Sequence, residues 1–329
     1  MAAARASSRP APRPDAPVFA DGSVSLRIYP HNEQDAATIV EQLCEQAVLG
    51  TDGGFDGVMT AEHHGGFAGY LPNPLQTTAF QLHAMSRGWA APCPLLLPLR
   101  PTAGVAEEIA WLDARFPGRV GLGAAPGSLA LDFEVMGVEQ SDAVPSFTNE
   151  LPRLVAMLSG CELGQLSGDR ALQACAEHPV PVVSAAMSPA AVRRAAAAGA
   201  GILFDGGSVV ERVRLLVDEY LAAGGTGPRV LIRRCWLGAP PKQAFEDQLE
   251  VYRSYSDEAA LSHWRDHGWI CHDDPDALAS QLADAVRATA SSCLNLRIHA
   301  PGIDPMAARE QITALATEVV PRIKALLDT

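Results

Sequence analysis

Val180-Pro181-Val182-Val183-Ser184-Ala185-Ala186-Met187-Ser188-Pro189 is the stretch that decides the fold class. Its first four residues are apolar without alternation. A strand with one wet face alternates apolar and polar side chains; a strand covered on both faces does not, and strands of parallel sheets are covered on both faces. Ser188 followed by Pro189 then opens a helix, since a hydroxyl can cap the first turn and proline loses no needed donor at the first helical position. The helix is expected to end near Gly199, and a second apolar run starts at Gly201. One strand, one helix and a second parallel strand follow from these twenty-odd residues.

The same unit recurs in both directions. Apolar strand runs begin at Val24 and near Gly57, Ala90, Val120, Val180, Gly201, Arg229 and Cys293. Helical patterns separate them at 35–49, 74–87, 102–116, 147–159, 189–198, 209–223, 242–255 and 276–289, with a last helix over 306–327. Repeated strand–helix units imply right-handed crossovers and a parallel sheet. Eight units suffice to close a single-domain (β/α)8 TIM barrel over residues 23–329; an open doubly wound sheet is the alternative, because periodicity cannot distinguish the two. The segment 254–274, with Trp264, His267, Trp269 and His272, reads as a long excursion before the final strand.

Residues 1–22 are rich in Ala, Ser, Pro and Arg and read as a disordered tail without the apolar core of a secretory signal. The formal charge of −13 opposes binding to nucleic acid phosphates. No apolar run reaches membrane-spanning length. Seven scattered cysteines without a C-x-x-C pair argue against a disulfide framework or zinc ribbon and fit reduced thiols in the cytoplasm.

The richest chemical segment is Gly54-Phe55-Asp56-Gly57-Val58-Met59-Thr60-Ala61-Glu62-His63-His64. A short strand follows the glycines, and two histidines stand just past its C-terminal end, the active-site end in a barrel. Neighbouring side chains on a strand point opposite ways, so the two need not share a role. They are poor ligands for one metal, because no third ligand stands at matching spacing. Read alone, the pair fits a core hydrogen bond better than it fits catalysis.

Further along stand Leu112-Asp113-Ala114-Arg115-Phe116-Pro117-Gly118-Arg119-Val120-Gly121-Leu122-Gly123 and Asp132-Phe133-Glu134-Val135-Met136-Gly137. The order G-F-D, E-H-H, N-P, A-E…L-D, G-R-V-x-L-G, D-F…G resembles the bacterial-luciferase family of flavin-dependent monooxygenases. The likeness is dense from Ser25 to Gly137 and resumes over Pro181 to Pro189. Each motif is short; their order and spacing carry the resemblance.

The resemblance implies a TIM barrel that takes reduced FMN (FMNH2) and O2 and oxidises a small organic substrate, aldehyde- or ketone-like or a natural-product intermediate, through a C4a-peroxyflavin. It places the catalytic histidine at His63, with His64 as its structural neighbour. It places flavin contacts at Cys93, Pro94 and Leu95, at Ala125, at Met187 and Ser188, and at Gly206. It implies a homodimer. No G-x-G-x-x-G follows a strand, so a separate flavin reductase is expected to supply FMNH2. An F420-dependent oxidoreductase on the same barrel is the alternative, and a non-enzymatic flavin-binding or partner subunit is a third reading.

Three positions depart from luciferase. Ala125-Pro126 stands where luciferase has a Cys-Arg pair; Met187, Ser188 and Ala191 stand where it has Glu, Ser and Thr at the phosphate; Gly206 replaces a tryptophan. Gly206-Gly207 is either a tight turn or a source of backbone amides near the cofactor. Luciferase carries a non-proline cis peptide near this point of its third strand, and Pro94 stands at about its second position, so the resemblance implies a cis bond or bulge at Cys93-Pro94, with a trans proline at an irregular strand end as the alternative. Arg100 can reach a phosphate or form a salt bridge. One of Arg233 and Arg234 can point into the barrel mouth, but a solvated or interface position is the preferred reading. His299 reads as structural, and Glu107 and Asp113 as helix surface or packing.

Overall fold

The computed structural model describes residues 16–31, 33–255 and 268–328. The described strands are β1 (Val24–Arg27), β2 (Gly57–Thr60), β3 (Trp89–Pro92), β4 (Leu95–Leu96), β5 (Leu122–Ala125), β6 (Val182–Ala185), β7 (Gly201–Phe204), β8 (Arg229–Leu237), β9 (Trp269–His272) and β10 (Cys293–Arg297). The α-helices are α1 (Ala36–Gly53), α2 (Pro74–Ala84), α3 (Thr102–Arg115), α4 (Ala130–Met136), α5 (Ala143–Met157), α6 (Arg170–Ala174), α7 (Pro189–Ala197), α8 (Val210–Ala222), α9 (Lys242–Tyr255), α10 (Pro275–Thr289), α11 (Pro305–Ala314) and α12 (Val320–Leu327).

Every strand pairing is parallel. Nine strands run in the order β3-β2-β1-β10-β8-β7-β6-β5-β4. The two ends of that path meet where Ala90 bridges Val120, with Ala90 N–H donating to Arg119 O and Gly121 N–H to Ala90 O. The ring is a nearly closed barrel rather than the open sheet. The expected third strand is split into β3 and β4 at Cys93–Pro94, whose peptide bond is cis. β9 lies off the path and pairs with β8. It belongs to the expected excursion; Trp264 and His267 of that segment lie outside the described residues.

Helix starts follow from side-chain chemistry. Asn73, Ser188, Asp274 and Asp304 each cap a helix through a side-chain oxygen, with a proline at the first helical position. The pair satisfies an orphan amide and presets φ at once. The last helical stretch passes through a π-helical turn, Leu315–Val319, just ahead of Pro321.

Strand alternation sorts the core into two parts. Leu26, Val58, Ala90, Leu122, Ile202, Leu231 and Leu294 face the helices. Met59, Trp89, Cys93, Val183, Leu203, Val230, Ile232 and Cys293 fill the barrel. Gly57 is required by this filling: a Cβ there would lie 2.1 Å from the Trp89 ring. Residues 1–15 of the expected tail lie outside the described residues. Its end is built into the fold: Val18 and Phe19 are buried, and Phe19 meets Trp89 edge-on at 5.1 Å. Two adjacent apolar side chains at the open end of a barrel gain more by burial than a tail gains by freedom. Among the described residues, no helix is long and apolar enough to cross a membrane.

Candidate active site

The C-terminal ends of the strands form one mouth, and the segment leaving β2 crosses it. Glu62 N–H donates to Pro94 O and His63 N–H to Leu71 O, so the backbone of the Glu-His-His triplet is held on both sides. Glu62 is buried. One of its oxygens accepts from Leu96 N–H at 2.6 Å; the other accepts from Arg100 Nη2 at 2.6 Å and lies 3.1 Å from His64 Nε2. Arg100 is therefore committed to an ion pair inside the mouth, the second of the two uses its sequence position allowed. Breaking such a pair by removing one partner strands a buried charge, which is why both ends are held.

His63 points the other way. Its Nδ1 lies 2.7 Å from Asp132 Oδ2, and the second Asp132 oxygen accepts from His64 N–H at 2.7 Å. Asp132 sits in the first turn of α4 and has no exposed surface. A carboxylate on Nδ1 fixes the tautomer, so Nδ1 donates and Nε2 is left to take or give a proton. Tyr70 meets the His63 ring edge-on at 4.4 Å and Phe67 lies 5.0 Å away. The ring is walled by aromatics, and 18% of its side chain remains open to the mouth.

The other expected site residues lie along one arc. Leu96 is in register with Ala125, Ala124 with Ser184, and Ala185 with Leu203. The ends of β5, β6 and β7 thus bring Ala125, Met187, Ser188 and Gly206 to successive positions around the mouth, while the Leu95 side chain on β4 is fully buried with the helix-facing core. Glu62 ties this arc to His63 through Pro94 and Leu96. Cys93 differs: its thiol is buried inside the barrel, against Gly123 and the Arg27 guanidinium, and burial pushes it up to about 11. Any contact it makes at the mouth comes from its backbone.

Ser188 caps α7 by accepting from Ala191 N–H at 3.3 Å, which leaves its hydroxyl proton for an incoming acceptor. Arg212 of α8 donates to Met187 O at 2.8 Å. A cation therefore stands beside the serine although Pro126 supplies none. Gly206-Gly207 forms the tight turn: Asp205 accepts from Gly207 and Ser208 N–H, so those two amides are used internally. Gly206 still matters for space, since a Cβ there would lie 3.3 Å from Ile232 and 3.4 Å from Arg234.

Of the paired arginines, Arg234 points into the barrel. Arg233 faces outward and is buried, which lowers it to about 10. His299 is buried in a chain of hydrogen bonds: its Nε2 lies 3.0 Å from Gln46 Oε1, and Gln46 Nε2 lies 3.1 Å from His31 Nε2. Among the described residues no cluster of three or more metal-ligating side chains is found.

Sequence reasoning passed over two parts of this site. Asp132 was visible only as the first letter of a motif, 69 positions from His63. Arg212 lies inside an amphipathic helix pattern that gives no hint of its direction.

The fold recurs among solved structures. The monooxygenase RslO1 from Streptomyces bottropensis superposes with a TM-score of 0.73 at 18% identity, covering 91% of this chain and 99% of that one. The oxygenating constituent of 3,6-diketocamphane monooxygenase from Pseudomonas putida, in complex with FMN, gives 0.70 at 17% identity, covering 92% and 99%. An F420-dependent secondary alcohol dehydrogenase with an F420-acetone adduct gives 0.65 at 15% identity, covering 92% and 98%. In sequence, the uncharacterized protein y4vJ of Sinorhizobium fredii is 31% identical over 124 residues, 37% of this chain and 35% of that protein. The model of the luciferase-like monooxygenase family matches residues 23–282, most of the barrel. The chain belongs to the luciferase-like monooxygenase family.

Proposed function

We propose that this protein is a flavin-dependent monooxygenase that takes reduced FMN from a separate reductase and uses O2 to oxidise a small organic substrate. The observation that carries the reading is the His63–Asp132 hydrogen bond at the barrel mouth. When bound, reduced FMN supplies the electrons with which the two atoms of O2 are divided between product and water.

The residues present fit that cofactor. Its phosphate would sit at Ser188, where a hydroxyl, the N-terminal end of α7 and the Arg212 guanidinium converge. The ring would lie across the backbone of Cys93, Pro94 and Leu95 and over Ala125. Small side chains at Ala125 and Ala185, at the ends of β5 and β6, would leave room for it. Gly206 keeps the β7 side open.

His63 would hold or move a proton at Nε2, with Asp132 fixing its tautomer and stabilising the imidazolium when it forms. Tyr70 and Phe67 would keep water from that nitrogen. His64 would serve through its backbone amide and through Glu62. In this reading the enzyme is a cytoplasmic homodimer.

The test is oxygen uptake with FMNH2 under labelled O2, over a panel of aldehydes and ketones. One labelled atom in the product, lost in His63→Ala, supports the reading. Release of hydrogen peroxide alone with every substrate would count against it, and hydride transfer to F420 without O2 uptake would replace it.

A further inference from the structure

A cavity opens at the mouth just past the ends of β1 and β10, across the barrel from β5. Its described lining includes Tyr29, Phe67, Tyr70, Gln248, Arg297 and His299. Three of these are aromatic rings packed in turn, Tyr29 on Tyr70 at 5.0 Å and Phe67 on Tyr70 at 5.6 Å. Tyr70 also meets the ring of His63 at 4.4 Å. One aromatic wall therefore runs from the cavity to the histidine of the active site.

Two polar atoms of the lining residues have no hydrogen-bond partner among the described residues. Gln248, on α9, is 3% exposed; its Nε2 donates to His299 O at 3.4 Å, and its Oε1 is buried and unpartnered. His299 is also 3% exposed, and its Nδ1 is buried and unpartnered. Its proton is on the other nitrogen, because Nε2 faces Gln46 Oε1, an acceptor, at 3.0 Å. Burial, then His31 and Arg297, holds His299 down to about 3, so at neutral pH the ring has that one proton and Nδ1 is a bare lone pair. Both unpartnered atoms are therefore acceptors. A buried acceptor left without a donor costs more than a typical made bond gains.

The same lining restricts what kind of donor fits. Arg297 donates to His299 O at 3.2 Å and lies 4.2 Å over the Tyr29 ring, so it is engaged within the protein. Its guanidinium repels an ammonium, and the two lone pairs repel a carboxylate. A neutral hydroxyl satisfies an acceptor without either cost. A flat ring suits a wall of aromatic side chains, against which it can stack or pack edge-on.

We propose that this cavity is the substrate subsite and that the substrate is a neutral hydroxylated aromatic molecule, its ring against Tyr29 and Tyr70 and its hydroxyls donating to Gln248 Oε1 and His299 Nδ1. The assignment rests on the monooxygenase reading for the reaction, but its binding test does not need turnover.

The full-length protein is titrated calorimetrically without oxygen, with toluene, phenol and catechol, and with FMNH2 in parallel. The three rings are similar in size and offer no, one and two hydroxyl donors. Affinity is expected to rise in that order, by roughly threefold to tenfold per donor. Gln248→Leu removes one acceptor, so catechol should fall to within about twofold of phenol. A second readout needs no variant. In protein with isotope-labelled histidine, the Nδ1 resonance of His299 should move upfield with phenol, as an acceptor nitrogen does on receiving a hydrogen bond, and stay in place with toluene. Toluene binding as tightly as phenol would mean that water serves the two acceptors, and would overturn the subsite. So would no saturable binding of either hydroxylated ring, or an unchanged catechol preference in folded Gln248→Leu. If that variant does not fold, the Nδ1 resonance decides. Hydroxyl-dependent binding without FMNH2 binding would support the subsite and overturn the flavin reading; FMNH2 binding without hydroxyl-dependent binding would do the reverse.

Discussion

Asp132 accepts one hydrogen bond from the ring of His63 and another from the backbone amide of His64, each at 2.7 Å. One buried carboxylate therefore sets both the tautomer of the first histidine and the path of the chain that carries it. The two neighbouring histidines differ because of this: His63 has its other nitrogen toward the mouth, and His64 turns to Glu62.

Removing His63 is expected to lower turnover by about a hundredfold or more, the ordinary scale for a lost proton-transfer group. Asp132→Asn should keep the fold, since its amide can still accept from one partner, yet misdirect the His63 tautomer and lower kcat by a similar factor. FMN binding should change less than threefold in either variant, by the same principle that separates chemistry from uniform binding. Steady-state kinetics beside a flavin titration checks this. An equal loss in His64→Ala would mean that the roles are exchanged.

The flavin phosphate is expected to depend on Ser188 and Arg212. Each lost contact should cost about 1–3 kcal/mol, or roughly tenfold to a hundredfold in Kd. With Met187 and Ala191 offering no side-chain donors, the purified protein should be colourless. Fluorescence titration of Ser188→Ala and Arg212→Ala measures both. Tightly held yellow FMN after purification, or unchanged affinity in Arg212→Ala, would move the phosphate elsewhere.

The barrel was legible because its strands are continuous apolar runs and four of its helices open with cap–proline pairs. The cis bond at Cys93–Pro94 was reached through the family resemblance, with the proline only lowering its cost. What stayed hidden depends on distance along the chain. Asp132 reaches His63 across 69 positions and Glu62 reaches Arg100 across 38, and neither pairing leaves a periodic trace. β9 was hidden because Trp269–His272 is only partly buried and too short to stand out from its polar surroundings. Arg27 and Arg297 were passed over because an arginine in an apolar strand carries no mark of which face it takes.

Glu62 should matter for stability as well as shape. Glu62→Gln leaves Arg100 without its counter-charge and weakens the bond to Leu96 N–H, so a loss of about 3–5 kcal/mol is expected. Part of it is discounted by water, because Arg100 retains 19% of its surface. Urea unfolding checks the value, and a loss under about 1 kcal/mol would place the pair in the class of surface bridges.

His299 gives the fold an acid-sensitive element. Burial, then His31 and Arg297, lowers it from 6.5 to about 3. Below pH 6.5 the unfolded chain binds a proton that the folded His299 refuses. Stability from this group is complete above 6.5 and falls as pH drops toward 3, by at most about 1.4 kcal/mol per pH unit. His31, lowered chiefly by burial, acts in the same direction. The midpoint of urea unfolding should therefore fall more between pH 7.5 and 5 in the wild type than in His299→Gln. Parallel pH profiles would show that the histidine is not held neutral.

The central claim is that this mouth receives reduced FMN and presents it to O2 beside His63. The most direct measurement is an anaerobic titration with FMNH2, with F420 in parallel, followed by admission of O2. The account predicts saturable FMNH2 binding, weakened in Ser188→Ala and Arg212→Ala, and reoxidation slower than for free FMNH2 because the site excludes water. Saturable binding of F420 with none of FMNH2, or reoxidation at the rate of the free flavin, would contradict it.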